Sequence, residues 1–370
     1  MSERILIIDP QFDGAPEVER EVTGPAARFD IVRAVERAED LALLRRAEAV
    51  INCRSRHFLP RRLIEQMAAA RIVVQAGVGF DHIDIAACAE RGIPVCNTPD
   101  YGTMEVADHA IAMMLDLMRG TTAYNNRLLV RDDAWNTKAL PVAPVRRLRG
   151  QVFGVVGLGR IGLAAALRAQ AFGLRVMFYD PLLPAGAELS AGFARADRLG
   201  DLLAAADIVS LHCPLTEATR GMIDAAAVAA MKPGAILINT ARGRVIDLDA
   251  VEGGLRSGRL SAAALDVLPE EPLDRRHPLL TAWTAGEAWL EGRLLITPHA
   301  AFFTPQSLRD MRRLSTLAVV QYLREGRLRS CVNLEALRAH GFAPGPDGHL
   351  PQPAAAPAPA PGEVAGLTVP

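Results

Sequence analysis

The stretch Gly157-Leu158-Gly159-Arg160-Ile161-Gly162 narrows the fold of this chain more than any other. A G-x-G-x-x-G pattern alone is common, but here it follows the β-branched run 152–156 and opens the helical run 163–172. A second strand-like run ends in Tyr179-Asp180, 18 residues beyond Gly162. Strand, glycine turn, helix and an acid at the end of the next strand form the unit that binds a dinucleotide. Gly157 permits the tight turn, Gly159 lets the backbone approach a pyrophosphate, and Gly162 allows close helix–strand packing. The helix start then offers free N–H groups and partial positive charge to the phosphates. Asp180 accepts hydrogen bonds from ribose hydroxyls and repels a 2′-phosphate. Pro181-Leu182-Leu183 brings no Arg to offset that repulsion, so NAD(H) is expected rather than NADP(H).

Short aliphatic runs alternate with Ala-, Leu- and Arg-rich helical stretches along most of the 370 residues, the pattern of an α/β protein with parallel sheets. One series of strands is expected at 5–9, 29–32, 49–52, 72–75 and 94–96. A second is expected at 152–156, 175–179, 208–212, 235–239, 262–267 and 294–297. Residues 103–119, with Val106, Ala110, Met113, Met114 and Leu117 at helical spacing, read as a buried hinge helix between domains. Residues 125–149 have no clean period and read as an excursion suited to an oligomer contact. Residues 305–326 form an amphipathic helix whose apolar face the first domain would cover. The Pro/Ala-rich stretch 343–370 has too little apolar bulk to offset ordering entropy and is expected to be disordered.

Composition excludes several classes. With 41 basic and 42 acidic side chains the chain lacks the broad positive field of a nucleic-acid binder. Its five cysteines are scattered without C-x-x-C spacing, so no metal site is expected and the thiols read as reduced. No apolar run reaches the roughly 18–20 residues of a membrane span. The N-terminus lacks signal-peptide order, and a cytoplasmic location is expected.

Three segments close strands of the second series: 239–243 with Arg242, 266–272 with Asp266 and Glu271, and 297–301 with His299. All carboxyl ends of a parallel sheet lie on one edge, so an Arg, a Glu and a His converge beside the nucleotide. His57, His82, His109 and His277 lack such company and read as structural or solvated.

These motifs, with Gly77-Val78-Gly79-Phe80-Asp81-His82-Ile83-Asp84 and Leu211-His212-Cys213-Pro214-Leu215-Thr216, resemble the D-isomer-specific 2-hydroxyacid dehydrogenase family over about residues 1–335. Phe178-Tyr179-Asp180-Pro181 and Pro298-His299-Ala300-Ala301 look most like the branch containing the C-terminal-binding proteins. The resemblance implies two Rossmann-like or flavodoxin-like parallel-sheet domains with a cleft between them. A substrate domain, 1–101 plus 298–335, would receive an inserted NAD domain, 102–297, in which 103–150 would make a homodimer. It also implies that Arg242 binds the substrate carboxylate, that His299 exchanges the proton, and that Glu271 orients His299 and raises its pKa. Arg160, Ile161, His212, Cys213, Pro214, Thr219, Thr240, Ala241 and Arg242 would line the cofactor, and Asp266 would hold the nicotinamide carboxamide. Gln75, the backbone near Val78 and Gly79, and Phe302 would meet the substrate.

The sequence departs from that branch in places. Gln75 stands where an Arg is common, Phe302 where a Trp is common, and Asp108 where the family often has Glu. The branch's substrate therefore does not transfer. The stretch between Glu271 and His299 is several residues longer than is typical of the family and carries Trp283 and Trp289, which points to a loop over the cleft or against another subunit. Three activities fit the resemblance: NAD-dependent 2-hydroxyacid oxidoreduction, an NAD-sensing corepressor scaffold, and oxidation of an oxyanion such as phosphite.

Overall fold

A computed structural model of the chain describes residues 3–53, 58–130, 135–138, 144–345 and 348–351. His57, part of the 125–149 excursion and the tail beyond 351 lie outside the described residues. The chain divides into two compact units, Met1–Gly102 with Thr304–Pro370, and Thr103–Phe303. The second boundary, expected at 298, lies at 304, so His299 and Phe302 belong to the inserted unit.

The discontinuous unit holds five parallel strands, β1 (Arg4–Ile8), β2 (Arg28–Val32), β3 (Ala49–Asn52), β4 (Ile72–Gln75) and β5 (Val95–Asn97), in the order β2-β1-β3-β4-β5. β1, β3 and β4 are aliphatic along nearly their whole length because both faces of the sheet are covered. One cover is the helix Pro305–Glu325, where Met311, Ala318, Val319, Tyr322 and Leu323 pack with Ile5, Ile7, Ala49, Ile72 and Val74. Burying a large aliphatic side chain of this kind contributes about 1.5–3 kcal/mol. Thr304 caps the helix through Ser307, and Gly326 ends it at φ 68°. Arg312 adds a two-pronged bond to the buried Glu19, at 2.8 and 2.7 Å.

Order extends further into the tail than the composition implied. Leu350 is buried with Leu337 and Ala89, its N–H meets the Tyr322 hydroxyl at 3.2 Å, and the His349 ring lies 5.5 Å from that of Tyr322. The expected start of disorder at 343 is therefore corrected: the Leu350 side chain and the His349 ring, invisible in a Pro/Ala-rich composition, tie residues 348–351 to the unit.

The inserted unit holds seven parallel strands, β6 (Val152–Val156), β7 (Arg175–Tyr179), β8 (Ala194–Arg195), β9 (Ile208–Leu211), β10 (Ala235–Asn239), β11 (Leu260–Leu265) and β12 (Leu294–Ile296). Their order is β12-β11-β10-β9-β6-β7-β8. The two-residue β8 was not recognised in the sequence, being too short to show alternation. The hinge helix, Thr103–Arg119, lies within this unit: Ala110, Ile111, Met113, Met114, Leu117 and Met118 pack on Phe153, Val155 and Phe178. Asp108 on its outer side pairs with Arg168 at 2.6 Å.

A helix, Thr121–Val130, runs into the 125–149 excursion and buries none of its side chains. The Trp283 stretch also differs from expectation. It forms the helix Pro278–Thr284, which buries Leu279, Leu280 and Ala282 in the unit's own core, with Trp283 and Trp289 packed against it. The Arg256 guanidinium sits 4.2 Å over the Trp289 ring. The additional length thus folds onto its own sheet. Among the described residues no helix is long and apolar enough to cross a membrane.

Candidate active site

In the inserted unit the strand order reverses between β6 and β9, the point at which open parallel sheets bind ligands. The loop after β6 carries the glycines and the loop after β9 carries His212 and Cys213. Gly157 adopts φ +90°, and a Cβ there would lie 2.9 Å from the Cys213 nitrogen. A Cβ on Gly162 would lie 2.0 Å from the Gly157 carbonyl oxygen. A Cβ on Gly159 would meet no protein atom within 4 Å, so that glycine faces open space.

The following helix, Arg160–Ala171, has no side-chain cap and no acid in its first turn. Its leading N–H groups are available to an anion. Two further polar atoms await a partner: Thr240 Oγ1 and His212 Nδ1 are buried without a hydrogen bond among the described residues. Ser210 Oγ meets His212 Nε2 at 2.8 Å, and burial pushes the imidazole down to about 4, leaving it neutral. Burial pushes the Cys213 thiol up to about 11, with the charge of Asp180 adding to it. Thr219 Oγ1 bonds the Pro214 carbonyl at 2.6 Å and shapes the same loop. An open glycine, an uncapped helix start and unpaired polar atoms fit a dinucleotide.

Asp180 ends β7 with both oxygens engaged, one by the Leu158 N–H and one by the Leu182 N–H, each at 2.9 Å. It lines a pocket with Tyr179, Pro181, Ala185, Glu188, Arg195, Ala196 and Asp197. Arg195 corrects the sequence reading, which placed no Arg near Asp180. It comes from β8, the strand the sequence did not reveal. Its guanidinium is used internally: it bonds the carbonyls of Pro184 and Leu183 at 2.8 Å and of Asp180 at 3.1 Å, and pairs with Glu188 at 3.6 Å.

The Arg, Glu and His of the second series sit at the ends of the neighbouring strands. His299 follows β12 with φ 54°, and its Nδ1 lies 2.7 Å from Glu271 Oε2. The other Glu271 oxygen accepts the Leu268 N–H at 3.0 Å. Burial alone would raise the Glu271 carboxyl. The hydrogen bond and charge of His299, the Leu268 N–H and the charge of Arg242 together hold it below the usual value. Arg242 follows β10, and its Nη1 donates to the Ala241 carbonyl at 2.7 Å. Asn239 braces this turn through the Arg242 carbonyl and the Ala241 N–H. At Gly243 a Cβ would come 1.9 Å from the Leu268 carbonyl group, so this glycine lets the Arg242 and Glu271 loops touch. The Phe302 ring meets the His299 ring edge-on at 6.5 Å.

Asp266 has a role the sequence did not indicate. It is 2% exposed, and its carboxylate accepts the Thr297 hydroxyl at 2.6 Å and the N–H groups of Ala300 and Ala301 at 2.8 and 3.0 Å. These bonds bracket His299. His109, read as structural, joins them through Thr297 Oγ1 at 3.1 Å. A loop tether of this kind leaves no sequence signal, because two of its three donors are backbone N–H groups.

The remaining predicted residues lie in the discontinuous unit. Gln75 is buried, with Oε1 held by Asn52 Nδ2 at 3.1 Å and His82 Nε2 at 2.7 Å. These two bonds fix the amide through its oxygen, as expected of a buried polar group. The Val78 carbonyl accepts Asn97 Nδ2 at 2.6 Å. Among the described residues the N–H groups of Val78 and Gly79 donate to no backbone carbonyl.

A doubly wound sheet with an open glycine loop at its switch point defines a dinucleotide-binding domain, and comparison with known proteins narrows the class. Residues 111–301 match the model of the D-isomer specific 2-hydroxyacid dehydrogenase NAD-binding domain. The chain belongs to this family, and NAD is its cofactor. It is 32% identical over 331 residues to the D-3-phosphoglycerate dehydrogenase of Methanocaldococcus jannaschii, covering 90% of this chain and 59% of that protein. It is thus similar to little more than half of that relative's length. It is 38% identical over 279 residues to the (S)-sulfolactate dehydrogenase of Chromohalobacter salexigens, covering 75% and 85%. The D-lactate dehydrogenase of Aquifex aeolicus, solved with NAD and lactic acid, shares 29% identity at a TM-score of 0.73, with 90% of this chain and 98% of that one covered.

Proposed function

We propose that this chain transfers a hydride between NAD(H) and a 2-hydroxy or 2-keto acid. The observation that carries this reading is the 2.7 Å contact between His299 Nδ1 and Glu271 Oε2. It joins the loops after two paired strands, on the sheet edge that presents the glycine loop. NAD, when bound, supplies the carrier of the hydride. Glu271 is ionised at neutral pH and accepts the Nδ1 proton, which leaves Nε2 to carry the exchangeable one. His299 gives that proton to the carbonyl oxygen during reduction and recovers it during oxidation. Arg242, whose fork is oriented by the Ala241 carbonyl, grips the substrate carboxylate with parallel bonds.

The pocket beside Asp180 favours NAD(H) over NADP(H). Asp180, Glu188 and Asp197 supply negative charge there, and the nearby Arg195 is already spent on carbonyls. The relatives named for phosphoglycerate and sulfolactate are dehydrogenases, which supports an enzyme over the scaffold role suggested by the resemblance to the C-terminal-binding proteins. Their substrates carry a second anionic group, and the substrate class here includes such acids. We further propose a homodimer built on the helix Thr121–Val130, where Leu129 and Val130 are 77% and 79% exposed. Clustered exposed aliphatics on a helix with no buried face mark a contact surface.

The test is NADH oxidation over 2-keto acids of graded size, some bearing a sulfonate or phosphate, alongside NAD reduction by phosphite. Turnover on a keto acid that His299→Ala abolishes supports the mechanism, and wild-type turnover in that variant overturns it. NADH-promoted binding of a peptide partner without turnover would favour the scaffold. Sedimentation of monomer alone would refute the dimer.

A further inference from the structure

Cys96 and Cys331 face each other in the discontinuous unit as an isolated antiparallel bridge. The Val332 N–H bonds the Val95 carbonyl at 2.8 Å and the Asn97 N–H bonds the Ser330 carbonyl at 3.2 Å. These bonds bracket the cysteines and do not join them directly, the pattern of a non-hydrogen-bonded pair. In such a pair the Cα atoms are about 4.5 Å apart with both side chains on one face. A disulfide needs a Cα separation of about 4.4–6.8 Å. The backbone therefore already has the spacing a bridge requires.

The surroundings separate the two thiols. Cys96 is fully buried, while Cys331 is partly buried and packs on the same core cluster. The Cys96 thiol donates toward the Cys331 sulfur. That bond lowers the Cys331 thiol against the opposing effect of burial, and raises the Cys96 thiol. Asn333 Oδ1 fixes the frame by accepting the Val95 N–H at 2.8 Å and the Cys331 thiol at 3.3 Å. Cys88 and Cys213 are poorly suited to compete, since burial pushes the Cys88 thiol up to about 12 and the Cys213 thiol up to about 11.

We propose that Cys96 and Cys331 are a redox-modification site that closes reversibly to a disulfide under a hydroperoxide. With hydrogen peroxide, the Cys331 thiolate attacks one oxygen, the O–O bond breaks, and the released hydroxide takes a proton to become water. This leaves a sulfenic acid on Cys331. The Cys96 sulfur then attacks the Cys331 sulfur, the S–O bond breaks, and the departing hydroxide leaves with the Cys96 proton as a second water. Two thiols are oxidised and one peroxide is reduced. A dithiol reductant reverses the bridge by exchange. Because Cys96 precedes the inserted unit and Cys331 follows it, the bridge closes a covalent loop around all of Thr103–Phe303.

The test treats the full-length native chain with hydrogen peroxide, then denatures it, alkylates it with N-ethylmaleimide and maps the peptides by mass spectrometry. The expected result is a Cys96–Cys331 cross-linked peptide with three of the five cysteines alkylated, and all five alkylated after dithiothreitol. In Cys331→Ser no cross-link forms. In Cys96→Ser, dimedone traps a sulfenic acid on Cys331. Should the buried Cys96→Ser variant fail to fold, the wild-type map and Cys331→Ser still decide. Five alkylated cysteines after peroxide, a bridge to Cys53, Cys88 or Cys213, or irreversible oxidation of Cys331 without the cross-link would each overturn the proposal.

Discussion

Replacing Asp266 by Asn tests whether this residue builds the His299 loop or serves the cofactor. The carboxylate accepts three hydrogen bonds, two at Oδ1 from Thr297 and Ala300 and one at Oδ2 from Ala301. The less costly Asn orientation keeps its oxygen at the Oδ1 place and turns its NH2 toward the Ala301 N–H, donor against donor. The loss is one hydrogen bond to a charged acceptor, about 1.5–3 kcal/mol, plus an unsatisfied buried N–H, about 1–3 kcal/mol. A total near 3 kcal/mol allows for partial relaxation and corresponds to a fall in Tm of roughly 6–12 °C for a domain of 150–250 residues. Because the freed segment carries His299, the proposed proton donor, kcat should fall about 100-fold, an effect of the size that an ångström's misplacement can cause. Calorimetry measures the first effect, and steady-state turnover with NADH titrated by fluorescence measures the second. A variant with unchanged Tm and kcat but a raised dissociation constant for NADH would refute the tether and assign Asp266 to the cofactor alone.

Three other perturbations check neighbouring parts of the site. His212 is neutral when folded, with its pKa lowered from 6.5 to about 4, so the unfolded chain binds the additional proton between those values. Its contribution is complete above pH 6.5 and is lost as pH falls toward 4, by on the order of 3 kcal/mol; denaturant titrations at several pH values should show this slope weakened in His212→Asn. Gly243→Ala forces a Cβ into the Leu268 backbone and should separate Arg242 from Glu271. We expect kcat/KM to fall at least tenfold, and wild-type kinetics would contradict the close approach. Asp180→Ser removes charge from the ribose end of the pocket and should raise KM for NADH while narrowing the preference over NADPH, read from the ratio of the two kcat/KM values.

Much of this architecture is legible in the sequence. The aliphatic runs of β1, β3, β4, β6, β9 and β10 and the glycine loop after β6 are local patterns, and local sterics translate them directly into strands and a turn. Gly157, Asp180, Arg242, Glu271 and His299 announced themselves because each stands just past such a run, and parallel strands bring all their ends to one edge. The reading failed where short elements or long-range partners decide. The strand β8 has two residues, too few for a period, and Arg195 arrived with it unnoticed. Gln75 ends β4, and the partners that hold its Oε1, Asn52 and His82, come from remote segments that spacing does not reveal.

The sequence by itself determined the two parallel sheets, the dinucleotide turn and the presence of an Arg, Glu and His at successive strand ends, since these follow from periodicity and chirality within a few dozen residues. Tertiary structure alone decided which groups hold those residues in place. Asp266 gathers Thr297, Ala300 and Ala301 around His299, Leu350 anchors a segment whose composition predicted disorder, and Cys96 meets Cys331 across the whole inserted unit. Such contacts depend on distances between remote segments, which neither propensity nor spacing along the chain encodes.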